Sequence, residues 1–119
     1  MTVRLFLAVQ AAVFDMAAMV HSGFLVHGYE HLRARNAESV IGAVLLLALL
    51  CTAILPRWVR PIALGAQGFA LLGTLVGLSM IAIGVGPRTF FDLTLHAAMV
   101  TLLVVGLLTT HRAPAVARS

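Results

Sequence analysis

The sequence predicts an all-α integral membrane protein in which four transmembrane helices form an up-down antiparallel bundle. The 119-residue chain is 61% hydrophobic and only 10% charged, and a mean hydropathy of +1.06 is not that of a soluble domain. Four apolar segments, at about 4–26, 39–55, 61–86 and 91–110, each approach the ~20 residues that a helix needs to cross a bilayer. The segments lack the alternating polar positions of membrane β-strands, and the connections between them are short.

Capping residues indicate where some of these helices begin. Asn36 is expected to cap the second helix, since its side chain can accept a hydrogen bond from a backbone N–H of the first turn. Thr89 and Asp92 have the spacing of a capping box for the fourth helix. Residues 1–112 are therefore predicted to form one four-helix transmembrane domain, and residues 113–119 a short cytoplasmic tail.

The charged residues predict the orientation in the membrane. All eight cationic residues are arginines, and an even number of spans places both termini on the same side. Five arginines fall on that side: Arg4, Arg57, Arg60, Arg112 and Arg118. The other side holds three arginines balanced by three acids: Arg33, Arg35 and Arg88 with Glu30, Glu38 and Asp92. By the positive-inside rule both termini are cytoplasmic, and the expected location is a bacterial inner membrane. The excess of arginine is therefore interpreted as a signal of membrane orientation, and no nucleic-acid partner is expected.

Asp15 lies inside the first apolar segment, where the hydrocarbon core offers no water to an ionised side chain. A carboxylate near the centre of a spanning helix costs at least ~2.5–3.5 kcal/mol on insertion scales. Small residues share its helix face, so the side chain is expected to point toward other helices. Asp15 is therefore the candidate proton-binding or ion-binding residue.

His21 and His96 lie at a similar depth, each about five residues from the outer end of its segment. The first and fourth helices of a bundle can be neighbours, so the two rings are expected to meet. Asp92 precedes His96 by one helical turn and is expected to orient its ring. Two such histidines suggest a site for haem b or a copper ion. The alternative is that both rings simply hydrogen-bond neighbouring helices.

The segment His27–His31 matches the H-x-x-E-H pattern of inverted zinc peptidases. On a helix its two histidines would lie one turn apart, with Glu30 beside them as a base. Gly28 disfavours a helix there and a third ligand is missing, so an outer interfacial loop is preferred to a peptidase. For metal binding alone, the candidate ligands on the outer side are His21, His27, His31, His96, Met19 and Met99.

Gly73 and Gly77 form a small-xxx-small motif in the third segment, which lets two helix backbones approach closely. The motif is expected to be a helix contact, either within the chain or between copies of a homo-oligomer.

Three functional classes follow from these features. The first is a small membrane protein that acts by association in the lipid bilayer, as an accessory subunit or a homo-oligomer of a larger membrane complex. The absence of a complete catalytic set favours this class, and an enzyme is not expected. The second is a haem-binding or metal-binding redox protein that uses His21 and His96. The third is translocation of protons or small ions through Asp15.

Overall fold

The computed structural model describes residues 1–114, and only the last five residues of the predicted tail lie outside the described range. The described chain contains four long α-helices: α1 (Thr2–His21), α2 (Leu32–Ile54), α3 (Val59–Ala82) and α4 (Phe90–Arg112). A short 3-10 turn, Pro56–Trp58, joins α2 to α3.

All four helices are long and apolar enough to cross a membrane by length and composition. The prediction of an all-α chain with four candidate membrane spans is therefore confirmed. Large apolar side chains also cover the outer surface of the bundle, as is expected where helices face lipid. Examples are Leu46, Leu47, Leu50, Leu72, Ile83 and Leu108.

Helix α1 ends at His21, earlier than the apolar pattern predicted, and a loop follows it. Helix α2 begins at Leu32, also earlier than predicted. The chain turns after His21 through Gly23 and Gly28, which adopt φ values of 77° and 100° that favour glycine. The His31 ring then accepts a hydrogen bond from the Ala34 backbone N–H at 3.2 Å and caps α2. The prediction of Asn36 as the cap is wrong, because a histidine nitrogen takes that role earlier in the chain.

The fourth helix begins as its sequence predicted. Thr89 Oγ1 accepts a hydrogen bond from the Asp92 backbone N–H at 3.2 Å. The Thr89 backbone N–H in turn donates to Asp92 Oδ2 at 3.0 Å, which completes the capping box. This reciprocal pair fixes the Asp92 side chain at the start of α4, and the position of that carboxylate matters for the site described below.

Helices α1 and α3 each contact all three of the other helices, and the contact of α1 with α2 is the most extensive. The largest fully buried apolar side chains come from three helices: Leu7 and Phe14 on α1, Leu45 on α2, and Met99 and Leu103 on α4. Helix α3 contributes small buried residues, among them Ala63, Ala66 and Ala70. Because lipid is as apolar as these side chains, close van der Waals packing of small residues is what holds such helices together.

Candidate functional site

A buried imidazole joins three helices at one end of the bundle. His21, the last residue of α1, places Nδ1 2.6 Å from Glu38 Oε2 of α2. Its Nε2 lies 2.9 Å from Asp92 Oδ1 of α4. All three residues are buried, with relative exposures of 1% for His21, 4% for Glu38 and 1% for Asp92. We call these three residues the His21 cluster.

The contacts of the His21 cluster restrict where its protons can be. An ionised carboxylate only accepts hydrogen bonds, and a neutral imidazole carries one N–H and one bare nitrogen. Two carboxylates on the two ring nitrogens therefore require either an imidazolium or a proton on one carboxyl group. With an imidazolium and two carboxylates, the cluster carries a net charge of −1. One additional proton makes it neutral.

Neighbouring backbone groups hold two members of the cluster in place. Asp92 Oδ2 accepts the capping bonds from Thr89, so that Oδ1 is directed at His21. The His21 carbonyl accepts a hydrogen bond from the His31 backbone N–H at 2.9 Å, which joins the end of α1 to the start of α2. His21 thus lies at the end of α1, Asp92 in the capping box of α4 and Glu38 within α2, so helices position all three residues.

Glu38 keeps one oxygen without a partner. Oε1 is buried and makes no hydrogen bond to any of residues 1–114. Glu38 also lines a cavity of about 280 Å³ between α2, α3 and α4. A buried carboxylate oxygen is expected to have a hydrogen-bond partner, so this atom is an exception among the buried polar groups.

His96 lines the same cavity. Its Nδ1 lies 2.7 Å from the Asp92 carbonyl oxygen, which can only accept, so Nδ1 carries the proton. In the neutral ring Nε2 is then an acceptor, and it makes no hydrogen bond within the described residues. Nε2 faces Gly77 of α3, where an added Cβ would lie 3.4 Å away.

The structure brings together some of the predicted site residues. The rings of His21 and His96 both contact Asp92, one through the carboxylate and the other through the backbone carbonyl. The Asp92 carboxylate thus orients His21, whereas the sequence suggested that it would orient His96. Met99 is buried and lines the cavity beside His96.

Other candidate metal ligands lie apart from these. The side chain of His27 is 92% exposed and contacts Glu30 at 3.4 Å, while Met19 is 43% exposed. His31 is occupied as the cap of α2. Within residues 1–114, no group of three or more His, Cys, Asp or Glu side chains is arranged to hold a metal ion. A haem or copper role for His21 would also require a carboxylate contact to break.

The H-x-x-E-H segment is not helical, so its two histidines are not presented on one helical face. Glu30 instead folds back on the loop and accepts a hydrogen bond from the Gly28 backbone N–H at 2.7 Å. Hydrogen bonds from the backbone N–H groups of Glu30 and Gly28 lower the pKa of the Glu30 carboxyl group. Glu30 therefore acts as a loop-forming residue on the surface.

Asp15 is partly buried and lies against the backbone of α2. A Cβ atom placed on Gly42 would lie 3.0 Å from Asp15 Cγ and 3.4 Å from the Asp15 backbone nitrogen. Two buried polar side chains of α3 hydrogen-bond groups other than Asp15. Gln67 donates to Thr110 Oγ1 at 2.9 Å, and Thr74 donates to the Ala70 carbonyl at 2.8 Å.

The two glycines of the small-xxx-small motif face different helices of the same chain. An added Cβ on Gly73 would lie 2.8 Å from Ile41 Cδ1 of α2, and one on Gly77 would approach His96 of α4. Both glycines line the cavity. Gly73 therefore lets α3 approach α2 closely, and Gly77 leaves space beside His96.

Sequence reasoning missed the role of Glu38, which it counted as a flanking charge outside the membrane. A signal was present, because Glu38 shares a helical face with Ile41, Gly42 and Leu45 at spacings of three, four and seven residues. All four residues are buried in α2. An acid at the head of an apolar stripe is typical of a residue that points into a bundle.

Comparison of the chain with family models, with curated proteins and with solved structures finds no match in any of the three. The features that indicate a function are therefore the geometry of the His21 cluster and the cavity.

Proposed function

We propose that the four helices cross a bilayer in alternating directions, with both termini in the cytoplasm of a bacterium and the His21 cluster near the outer surface. The length and hydropathy of the helices support membrane insertion. The contrast between five arginines on one side and a balanced set on the other supports the orientation.

Within that membrane the protein translocates protons or small ions, with Glu38 of the His21 cluster as the group that exchanges them. The observation that carries this proposal is the contact of one buried imidazole with two buried carboxylates from two other helices. Ionisable groups inside a membrane bundle are expensive and are typical of ion and proton pathways. Purely structural hydrogen bonds between helices would not require two acids.

The exchange chemistry follows from the two protonation states. A net charge of −1 is stabilised by the capping bonds to Asp92 and by the imidazolium of His21. One further proton on Glu38, whose Oε1 makes no hydrogen bond among residues 1–114, neutralises the cluster. Burial in a low-dielectric site favours the neutral form, whereas the imidazolium and the capping bonds favour the charged form.

Proton flux in liposomes tests this function. Protein would be reconstituted with a pH-sensitive dye inside the vesicles, and a potassium gradient with valinomycin would drive proton movement. We expect wild-type protein to accelerate the dye response, Glu38→Gln to remove the acceleration, and Asp15→Asn to retain it. Circular dichroism and gel filtration would verify that both variants fold.

Two results would overturn the proposal. If wild-type vesicles behave as empty vesicles do, the protein does not translocate protons under a driving force. If Asp15→Asn removes the flux and Glu38→Gln does not, the exchanging group is Asp15, as the sequence alone suggested.

An accessory subunit or homo-oligomer is the alternative function. The glycine motif was one of the features that favoured it, and both glycines face helices of their own chain. Gel filtration of the purified protein with a light-scattering detector would reveal an oligomer directly.

A further inference from the structure

A ring nitrogen of His96 is accessible from the cavity and has no hydrogen-bond partner. His96 is 7% exposed and lines the cavity. Its Nδ1 donates to the Asp92 carbonyl at 2.7 Å, which leaves Nε2 as an acceptor in the neutral ring. Within residues 1–114, the fully enclosed side-chain atoms that lack a partner are Gln10 Oε1 and Glu38 Oε1. Nε2 of His96 also lacks a partner but is not fully enclosed, so a molecule in the cavity can reach it.

Gly77 keeps the space beside this nitrogen open. A Cβ atom added to Gly77 would lie 3.4 Å from Nε2 and 3.8 Å from Cδ2 of His96. Apart from the neighbouring residues of α3, no other heavy atom of the described chain would lie within 4 Å of that Cβ. Gly77 lines the cavity too, so Nε2 borders free space there. A hydrogen-bond donor has to come within ~3.2 Å of Nε2, and a larger side chain at position 77 would take up that space.

The size and walls of the cavity fit one aromatic ring. The cavity has a volume of about 280 Å³, and an apolar cavity of ~150 Å³ already admits benzene. Its walls are mainly apolar, and the lining residues include Phe14, Ile41, Met80 and Met99. Aromatic rings make favourable contacts with methionine sulfur. A single ring with a short substituent therefore matches both the volume and the lining.

The cavity is partly open to the surface of the bundle. Ala37 of α2 and Val76 and Met80 of α3 line it and are also exposed. A ligand can therefore enter between α2 and α3 without separating the helices. Because these residues are apolar, a charged ligand would lose its hydration without gaining a partner of opposite charge there, which is costly. A neutral ligand is favoured.

These features together restrict the chemistry of the ligand. Nε2 of His96 requires a hydrogen-bond donor, whereas the walls require that the rest of the molecule be apolar. We infer that this cavity binds a small neutral phenol, whose hydroxyl group donates to His96 Nε2 and whose ring packs between α2, α3 and α4. This contact does not involve the buried oxygen of Glu38, so it is independent of the proton exchange proposed above.

Two probes of nearly equal shape test the hydrogen bond. Isothermal titration calorimetry in detergent would use 4-ethylphenol and 4-ethyltoluene, in which a methyl group replaces the hydroxyl. Each probe is compared between wild-type protein and His96→Phe in the same detergent, so its partition into micelles cancels. The variant keeps an aromatic ring but has no acceptor. We expect it to bind 4-ethylphenol at least about tenfold more weakly, because the hydroxyl is left unpaired, and to bind 4-ethyltoluene as wild-type protein does.

A second pair of variants keeps the imidazole and changes the space beside it. Gly77→Val should occupy the space next to Nε2 and weaken the binding of 4-ethylphenol at least about tenfold. Gly65→Val is the matched control, since an added Cβ on Gly65 has no atom within 4 Å, and it should bind 4-ethylphenol as wild-type protein does. Circular dichroism would verify that all variants are helical.

Several results would overturn the phenol site. Wild-type protein that does not bind 4-ethylphenol would do so, as would wild-type affinity for 4-ethylphenol in His96→Phe or Gly77→Val. Equal weakening of both probes in His96→Phe would show that the variant damages the cavity and that no hydrogen bond is involved. If His96→Phe does not fold, the glycine pair decides, and equal weakening in Gly77→Val and Gly65→Val would overturn the site.

Discussion

Nδ1 of His21 lies 2.6 Å from Oε2 of Glu38, although the two residues belong to different helices and both are buried. The same ring contacts Asp92 through its other nitrogen. One side chain therefore joins α1 to α2 and α4, and within the described chain it is the only one that hydrogen-bonds both acids of the cluster. Removing it leaves two carboxylates with no cation between them.

Replacement of His21 by leucine should therefore destabilise the bundle. The change leaves Glu38 and Asp92 buried without their common partner, and breaking a buried ion pair typically costs about 3–5 kcal/mol. We expect a clear decrease in the thermal unfolding temperature of His21→Leu in detergent. His27→Leu is the matched control, because the His27 side chain is 92% exposed.

Part of the stability lost in His21→Leu should be recoverable. In the triple variant His21→Leu/Glu38→Gln/Asp92→Asn the buried charges are gone, so stability should return toward that of wild-type protein. If His21→Leu unfolds at the wild-type temperature, the two carboxylates are not held by this imidazole.

Gly42 is required by its contact with Asp15. A methyl group on Gly42 would meet the Asp15 carboxylate and lie 3.4 Å from the α1 backbone. We expect Gly42→Ala to destabilise the protein by about 1–3 kcal/mol, as overpacking does elsewhere. Unfolding followed by circular dichroism would measure the change.

A glycine of α3 offers the control for this substitution. Gly65 has no atom within 4 Å of an added Cβ, so Gly65→Ala should be neutral or slightly stabilising, because alanine favours helix. Asp15→Ala combined with Gly42→Ala should recover part of the lost stability. An unaffected Gly42→Ala protein would mean that α1 and α2 are farther apart than the structure places them.

The sequence predicted the helices better than the site, and particular residues explain the difference. Local patterns determine where an apolar span lies and where Thr89 and Asp92 cap a helix, so the sequence alone predicted both features. The partner of His21 depends on how α1, α2 and α4 are rotated about their axes, which a single sequence does not specify. Glu38 was missed because α2 begins at Leu32, earlier than its apolar pattern suggests, and this places Glu38 inside the helix.

The expected equal depth of the two histidines does not match the helix ends, since His21 is the last residue of α1 and His96 lies well inside α4. Both rings nevertheless contact Asp92. Which ring would take the carboxylate depends on the capping box, since Thr89 occupies Oδ2 and leaves Oδ1 for α1. Spacing along the chain contains no such information.

The loop between α1 and α2 should respond to pH through Glu30. Hydrogen bonds from the backbone N–H groups of Glu30 and Gly28 hold the pKa of this carboxyl group below its usual value of 4.5. A depressed folded-state pKa means that the contact stabilises the loop above pH 4.5 and is lost as the pH falls through the lowered pKa. The amide resonance of Gly28 should shift in that acidic range and remain constant above it.

Glu30→Gln provides the control for the pH titration. The variant keeps an acceptor for the Gly28 N–H but cannot titrate, so its Gly28 resonance should be independent of pH over the same range. If the wild-type resonance shifts only near neutral pH, a histidine such as His27 controls the loop instead.

Cysteine labelling should determine the orientation of the bundle, and with it the side from which a proton would reach Glu38 in the proposed exchange. Cys51 is the single cysteine of the chain, so a Cys51→Ala background allows one new thiol to be placed at a time. His27→Cys in the α1–α2 connection should react with a membrane-impermeant maleimide added to intact cells. Leu55→Cys, at the exposed end of α2, should react only after the cells are opened. This outcome is expected because arginines flank the second position and balanced charges flank the first. The reverse pattern would place the His21 cluster on the cytoplasmic side, and the proton of the proposed exchange would then enter from the cytoplasm.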